Sequence, residues 1–127
     1  MGILRYPVEI GDASGRRYER VEAIVDTGAM FSVFPSSQLR RLGVTPVARV
    51  RLLIGDGRSI ERERSEARIR VPGKEAPTFV IFGDEAVPPL LGAYGLEGLA
   101  LMVDPAGQKL VPIEGLLLQS TCEPRQP

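Results

Sequence analysis

Apolar residues along the chain recur mainly in short runs with a period of two, which is the spacing of half-buried β-strands. Val21, Ala23 and Val25 share one face of such a run. The polar residues Arg20 and Glu22 take the other face. The 14 Gly and 11 Pro residues stand mostly between the apolar runs and mark frequent turns. The pattern predicts a small, mostly antiparallel all-β fold.

Two hairpins are predicted in the first half of the chain. Residues 3–10 pair with residues 17–25, and residues 47–54 pair with residues 59–71 around an Asp-Gly turn at 56–57. The remaining predicted strands are residues 78–82, 99–103 and 109–112, and residues 90–92 are a short apolar segment. Three apolar residues between the hairpins are expected in the core: Phe31, Val33 and Phe34.

Two short helices are predicted between the strands. Residues 35–43 suit a helix because Leu39 and Leu42 share a face and Gly43 fits the position after the last turn. A serine at the start of this segment is expected to cap the helix. Residues 93–98 have room for one or two further helical turns.

Composition removes several kinds of chemistry. The chain has one cysteine, Cys122, and no histidine, so Ser-His-Asp and Cys-His catalysis and histidine- or cysteine-rich metal sites are excluded. The formal net charge is zero, and this balance argues against a nucleic-acid partner.

Length and hydropathy limit the number of domains and the membrane-related segments that the chain can have. A chain of 127 residues predicts one domain over residues 1–127. The N-terminus lacks the basic segment and the long apolar segment that a signal peptide has. No run of residues approaches the ~20 apolar residues of a membrane helix. The expectation is a soluble, cytoplasmic protein without a membrane partner.

Asp26, Thr27 and Gly28 interrupt the strand pattern. Asp-Thr-Gly alone is an ordinary turn sequence, but here it lies between the apolar segments 23–25 and 30–34. A solvated turn rarely separates two buried segments, and a carboxylate held there must be hydrogen-bonded or paired. Asp26 is therefore the leading candidate for chemistry.

Several motifs carry a resemblance to a family. Residues 23–29, Ala-Ile-Val-Asp-Thr-Gly-Ala, resemble the catalytic loop of retropepsin-like aspartic proteases. Residues 88–92, Pro-Pro-Leu-Leu-Gly, resemble the family's second signature, and residues 50–60 stand where the family has a flap hairpin. The segment 91–112 is similar to bacterial single-domain members. The resemblance covers about residues 17–112 and leaves a tail at residues 113–127.

The resemblance implies a closed, retropepsin-like β-barrel with one or two short helices, which forms half of a pepsin-like dimer. It implies that Asp26 is catalytic. The residues implied to support the loop are Thr27, Gly28 and Ala29. The residues implied to lie beneath it are Leu90, Leu91 and Gly92. The implied flap and substrate-binding residues are Ile54, Gly55, Asp56, Gly57 and Arg58.

The implied reaction is peptide hydrolysis by two aspartates and one water. One carboxylate is ionised and takes a proton from the water, while the other is protonated and donates to the substrate carbonyl. This chain has one Asp-Thr-Gly, so the second aspartate must come from another copy, and a two-fold axis would place the two together. The expectation is a homodimer that acts on peptides or proteins, with no metal and no cofactor.

The sequence departs from the family's pattern in three places. Ala29 has no hydroxyl to donate to Asp26, so the pH optimum is expected to be less acidic than in relatives with Ser or Thr there. The tip at residues 55–58 is more charged than a glycine-rich apolar tip. Ala93 stands where retroviral members have an Arg that supports the dimer, so the C-terminal strands and residues 116–118 are candidates to secure it. Packing of the tail on its own subunit is the alternative.

Two other functions stay open at the sequence level. A retropepsin-like domain could be a non-catalytic dimerisation or peptide-binding module, since one fold hosts many functions. The chain could also be a monomeric precursor, or a subunit that needs a different partner.

Overall fold

The computed structural model describes residues 3–104, 106 and 108–113. Within these residues the chain is mostly β-strand, which confirms the all-β prediction. The elements, in chain order, are β1 (Arg5–Gly11), β2 (Tyr18–Val25), β3 (Ser32–Pro35), α1 (Ser36–Arg41), β4 (Ala48–Leu53), β5 (Ser59–Val71), β6 (Lys74–Gly83), β7 (Leu90–Leu91), α2 (Ala93–Gly98), β8 (Leu101–Asp104) and β9 (Lys109–Pro112).

Seven of the strands form one sheet in the order β1-β2-β7-β3-β6-β5-β4. The sheet closes on itself because β1 also pairs with β5, where residues 9–11 lie antiparallel to residues 68–70. Six strands therefore form a ring, and β4 pairs with the outer half of β5 to make a hairpin that extends from it. Both predicted hairpins, β1–β2 and β4–β5, are present.

The ring encloses an apolar core. Alternate residues of the strands point inward, and the two short helices contribute leucines to the same cluster. Fully buried members include Ile10, Phe34, Leu39, Ile69 and Leu91. This packing fixes the strands on which the candidate site is built.

One strand was not predicted, and it changes which residues lie in the core. Residues 32–35 form β3, which runs parallel to β6. Because successive side chains of a strand point to opposite faces, Phe34 and Ser32 face inward and are fully buried. Phe31 and Val33 are half-buried instead. The prediction of a core position was right for Phe34 and wrong for the other two.

The first helix begins differently from the prediction. The residue before α1 is Pro35, and no side chain caps the helix from that position. The Ser36 hydroxyl donates to the Gly83 carbonyl at 3.0 Å instead. The Ser37 backbone N–H donates to the Glu85 carboxylate at 2.9 Å. Glu85, which is distant in the chain, therefore accepts a hydrogen bond from a free backbone N–H at the start of the helix. Gly43, with φ of +90°, ends the helix as predicted.

The C-terminal strands form a small separate hairpin. Leu101–Asp104 pairs antiparallel with Lys109–Pro112. Leu99 caps the end of α2, and Ala100 follows it with φ of +56°. Because these two residues end the helix, β8 starts two residues later than predicted. Cys122 and the apolar residues 116–118 lie outside the described residues. No helix in the described part of the chain is long and apolar enough to cross a membrane.

Candidate active site

Asp26 lies directly after the last residue of β2, and its side chain is exposed. The carboxylate accepts a hydrogen bond from the Gly28 N–H at 2.9 Å. The backbone N–H of Asp26 donates to the Leu91 carbonyl at 3.0 Å, and the Ala29 N–H donates to the Asp26 carbonyl at 3.2 Å. The loop of residues 26–29 is therefore a tight turn that presents one carboxylate to solvent.

Residues 90–92 lie against this loop and brace it. β7 pairs parallel with β2 and antiparallel with β3, so it lies between the two strands that flank the loop. Gly92 passes so close to the chain that a Cβ atom there would lie 2.5 Å from the Phe31 carbonyl oxygen. The next residue, Ala93, donates its N–H to the Ala29 carbonyl at 2.7 Å. No larger residue fits at position 92.

Ser32 is a member of this arrangement that the sequence reasoning missed. Its side chain is fully buried, and its Oγ accepts a hydrogen bond from the Gly92 N–H at 3.0 Å. Three consecutive residues, 91–93, are thus bonded to residues 26, 32 and 29 in turn. The available signal was a serine inside an otherwise apolar run, which needs a partner when it is buried.

The tip of the β4–β5 hairpin is an ordered turn. The Gly57 N–H donates to the Ile54 carbonyl at 3.0 Å, and the Ile54 N–H donates to the Arg58 carbonyl at 2.9 Å. Gly57 has φ of +88°, a conformation that favours glycine. Ile54 is half-buried, and Gly55 to Arg58 are exposed.

Charge at this tip is paired internally. The Arg58 guanidinium contacts the Asp56 carboxylate at 2.6 Å. The hydrogen bond from the Arg58 backbone N–H, followed in size by the one from the Arg58 side chain, holds the pKa of Asp56 below its ordinary value. Among the described residues, the hydrogen bonds of the tip stay within the tip. The structure brings residues 26–29 and 90–92 together, and it leaves residues 54–58 as a separate projection.

Apolar surface begins directly after the Asp26 loop. Met30 is 55% exposed. Phe31 makes edge contacts with Tyr94 and Phe79, with ring centroids 5.6 and 6.3 Å apart. The Arg64 guanidinium lies over the Phe79 ring at 4.7 Å, which extends this aromatic surface to the base of the hairpin.

The sequence matches a family model described as aspartyl protease over residues 6–94. That match includes the Asp26 loop, the hairpin and the bracing residues 90–92. The chain belongs to the aspartyl protease family. No curated protein is similar to it in sequence.

Solved structures of two retroviral proteases and of a retroviral protease-like domain share the fold of this chain. The EIAV protease in complex with an inhibitor aligns with a TM-score of 0.57 and 21% identity, over 87% of this chain and 93% of that one. The retroviral protease-like domain of Ddi1 from Leishmania major aligns with a TM-score of 0.56 and 24% identity, over 88% and 89% of the two chains. The simian foamy virus protease aligns with a TM-score of 0.50 and 16% identity, over 72% and 92%. The family member described here therefore has a retropepsin-like fold.

Proposed function

We propose that the protein is an aspartic endopeptidase whose working form is a homodimer with two copies of Asp26 in one active site. The observation that carries the proposal is the braced loop, in which an exposed carboxylate stands on a turn held by Leu91, Gly92 and Ala93. A preorganised carboxylate on a rigid support is what acid–base catalysis requires. Membership of the aspartyl protease family supports the same reaction.

In the proposed reaction, one Asp26 is ionised and the other is protonated. Two carboxylates ~3 Å apart share one proton, because both cannot be charged at that distance. The ionised Asp26 takes a proton from a water molecule, and the water oxygen attacks the peptide carbonyl carbon. The protonated Asp26 donates its proton to the carbonyl oxygen. The C–N bond then breaks as the Asp26 that took the proton from water gives it to the amine nitrogen, and the other Asp26 takes its own proton back.

The neighbouring residues take supporting roles in this proposal. Thr27 binds the backbone of the partner's loop, and Gly28 leaves room for the two loops to approach. Ala29 ties the loop to Ala93 through its carbonyl. The segment Leu90 to Gly92 braces the loop, and residues 54–58 form a flap over the substrate. Two glycines at the tip favour opening and closing.

Cleavage of a denatured protein substrate between pH 4 and pH 7 tests the proposal. Asp26→Asn is expected to lower the rate by more than about 1000-fold, because no carboxylate is left to take the proton from water. Asp84→Asn is the matched control, since Asp84 is an exposed aspartate that pairs with Arg62 on the surface. It is expected to keep wild-type activity.

Two results would contradict the proposal. One is full cleavage by a purified Asp26→Asn variant. The other is a folded wild-type dimer that binds peptides without cleaving them anywhere in this pH range, which would identify a binding module instead.

A further inference from the structure

A small pocket continues the aromatic surface that begins beside the Asp26 loop. It has a volume of about 310 Å³, and its described lining is Glu66, Pro77, Thr78, Phe79 and Tyr94. The centroids of the Phe79 and Tyr94 rings are 6.1 Å apart, and Tyr94 is 42% exposed. Ligand pockets measure ~300–1,000 Å³, so this pocket has room for a single side chain.

Glu66 is the charged member of this lining, and it is exposed. Arg64 and Arg68 stand two residues away on either side, and alternate residues of a strand share a face. Arg64 lies over the Phe79 ring at 4.7 Å, and Arg68 contacts Glu75 at 2.8 Å. Neither arginine lines the pocket. Within the part of the chain that the structure describes, the Glu66 carboxylate is therefore left without a cation.

We infer that this pocket binds a basic side chain of the substrate polypeptide, away from the bond that is cleaved. The aromatic rings attract a cation through their faces, and the apolar stem of a lysine packs against rings and Pro77. Its charged end would then meet the carboxylate of Glu66. The inference rests on the proposed function and goes beyond it by naming a feature of the substrate.

The pocket lies within reach of a peptide bound at Asp26. The Tyr94 N–H donates to the carbonyl of Met30 at 3.1 Å, and Met30 is four positions after Asp26. Four residues span at most ~14 Å, so the Tyr94 backbone lies within about 20 Å of Asp26. An extended peptide advances ~3.3 Å per residue, which brings a side chain about four to six residues from the cleaved bond to the pocket. In a two-fold dimer, one pocket serves each side of that bond.

Binding of matched peptides to Asp26→Asn tests the inference without cleavage. Each fluorescent peptide has an apolar centre and carries lysine, norleucine or glutamate at the fourth to sixth positions on each side of it. The lysine peptide should bind at least about tenfold more tightly than the norleucine peptide, and the glutamate peptide should bind most weakly. Fluorescence anisotropy measures the affinities. Equal affinities for lysine and norleucine, or no binding of the lysine peptide up to about 1 mM, would overturn the inference.

A reversed charge at Glu66 tests the contact itself. In the Asp26→Asn background, Glu66→Lys should reverse the order of the peptides, so that the glutamate peptide binds at least about tenfold more tightly than the lysine peptide. Glu22→Lys is the matched control, because Glu22 is exposed on β2 and does not line the pocket. It makes the same change in net charge and should keep the original order. Equal effects of the two variants would show a response to net charge alone and would overturn the pocket.

Tyr94→Leu tests the aromatic rings separately. Leucine keeps an apolar wall but removes the ring face that attracts a cation. The affinity ratio of the lysine peptide to the norleucine peptide should fall by at least about threefold, while the norleucine peptide binds nearly as before. An unchanged ratio would overturn the role of the rings. If Tyr94→Leu does not fold, Glu66→Lys still tests the pocket, since its side chain is exposed.

These results separate the pocket from the activity. A lysine preference that depends on Glu66, in a protein that cleaves nothing, would uphold the pocket and overturn the proposed function. Cleavage that depends on Asp26 but shows no such preference would overturn the pocket alone.

Discussion

Ser32 illustrates how one small side chain stabilises the loop that carries Asp26. It is the first residue of β3 and is fully buried, and its Oγ accepts the Gly92 N–H. The adjacent residues, Leu91 and Ala93, bond directly to the loop. Ser32 is therefore a positioning residue in our account, because it holds the brace rather than the substrate.

Replacing Ser32 by Ala should reduce both stability and turnover. The Gly92 N–H would lose its buried partner, which costs about 1–3 kcal/mol, and the loop above it would be less well held. We expect kcat per folded molecule to fall by about tenfold or more, with a smaller change in KM. Steady-state kinetics well below the unfolding temperature measure this split.

Ser65→Ala is the matched control for this change. Ser65 is also buried, and its hydroxyl donates to the Thr45 carbonyl at 2.6 Å, away from the Asp26 loop. It should lose stability but keep kcat. Equal kcat in the two variants would show that Ser32 has no role beyond folding.

The residues of the site could be predicted from the sequence to different degrees. Asp26 and its brace at residues 90–92 were predicted because each lies in a recognisable local motif, and the structure brings them together. Ser32 was not, because its importance comes from the hydrogen bond to Gly92, which is distant in the chain. Residue patterns reveal local turns better than such long-range contacts.

At the scale of elements, the start of α1 depends on Glu85 from the loop after β6. The Ser37 hydroxyl, and then the Ser37 backbone N–H, hold the pKa of the Glu85 carboxyl below its ordinary value. A carboxyl with a lowered pKa in the folded state contributes stability above its ordinary pKa, and this contribution is lost as the pH falls. Acid should therefore loosen this helix start.

Glu85→Gln should destabilise the protein at pH 7 and have a smaller effect at pH 3, because pH 3 lies below the ordinary pKa of a glutamate and the stabilising contribution of the charge is being lost there. Urea unfolding at the two pH values measures the difference. Glu66→Gln, at an exposed position on β5, is the control and should change neither value appreciably. An equal loss at both pH values for Glu85→Gln would mean that its charge does not stabilise α1.

The elements predicted best are those with strong local signals. Alternation and turn residues located β1, β2, β4 and β5, because antiparallel hairpins are encoded by neighbouring segments. β3 was missed because it has four residues and pairs in parallel with β6, far along the chain. The helix cap was assigned to a serine for the same reason, since a pattern of neighbours cannot reveal Glu85.

At the scale of the whole molecule, the fold provides a ring of strands with two features on it. The Asp26 loop stands beside an apolar groove, and the β4–β5 hairpin projects from the ring. One chain supplies one Asp-Thr-Gly. In our account the chain is half of an enzyme, and activity should fall steeply on dilution as the dimer dissociates.

Mixing wild type with Asp26→Asn tests the central claim most directly. At concentrations where all chains are dimeric and exchange freely, an equal amount of Asp26→Asn should lower the activity per wild-type chain to about one half, and a threefold excess should lower it to about one quarter. Asp84→Asn added in the same amounts should not lower it. Activity per wild-type chain that stays constant as Asp26→Asn is added would contradict a shared active site.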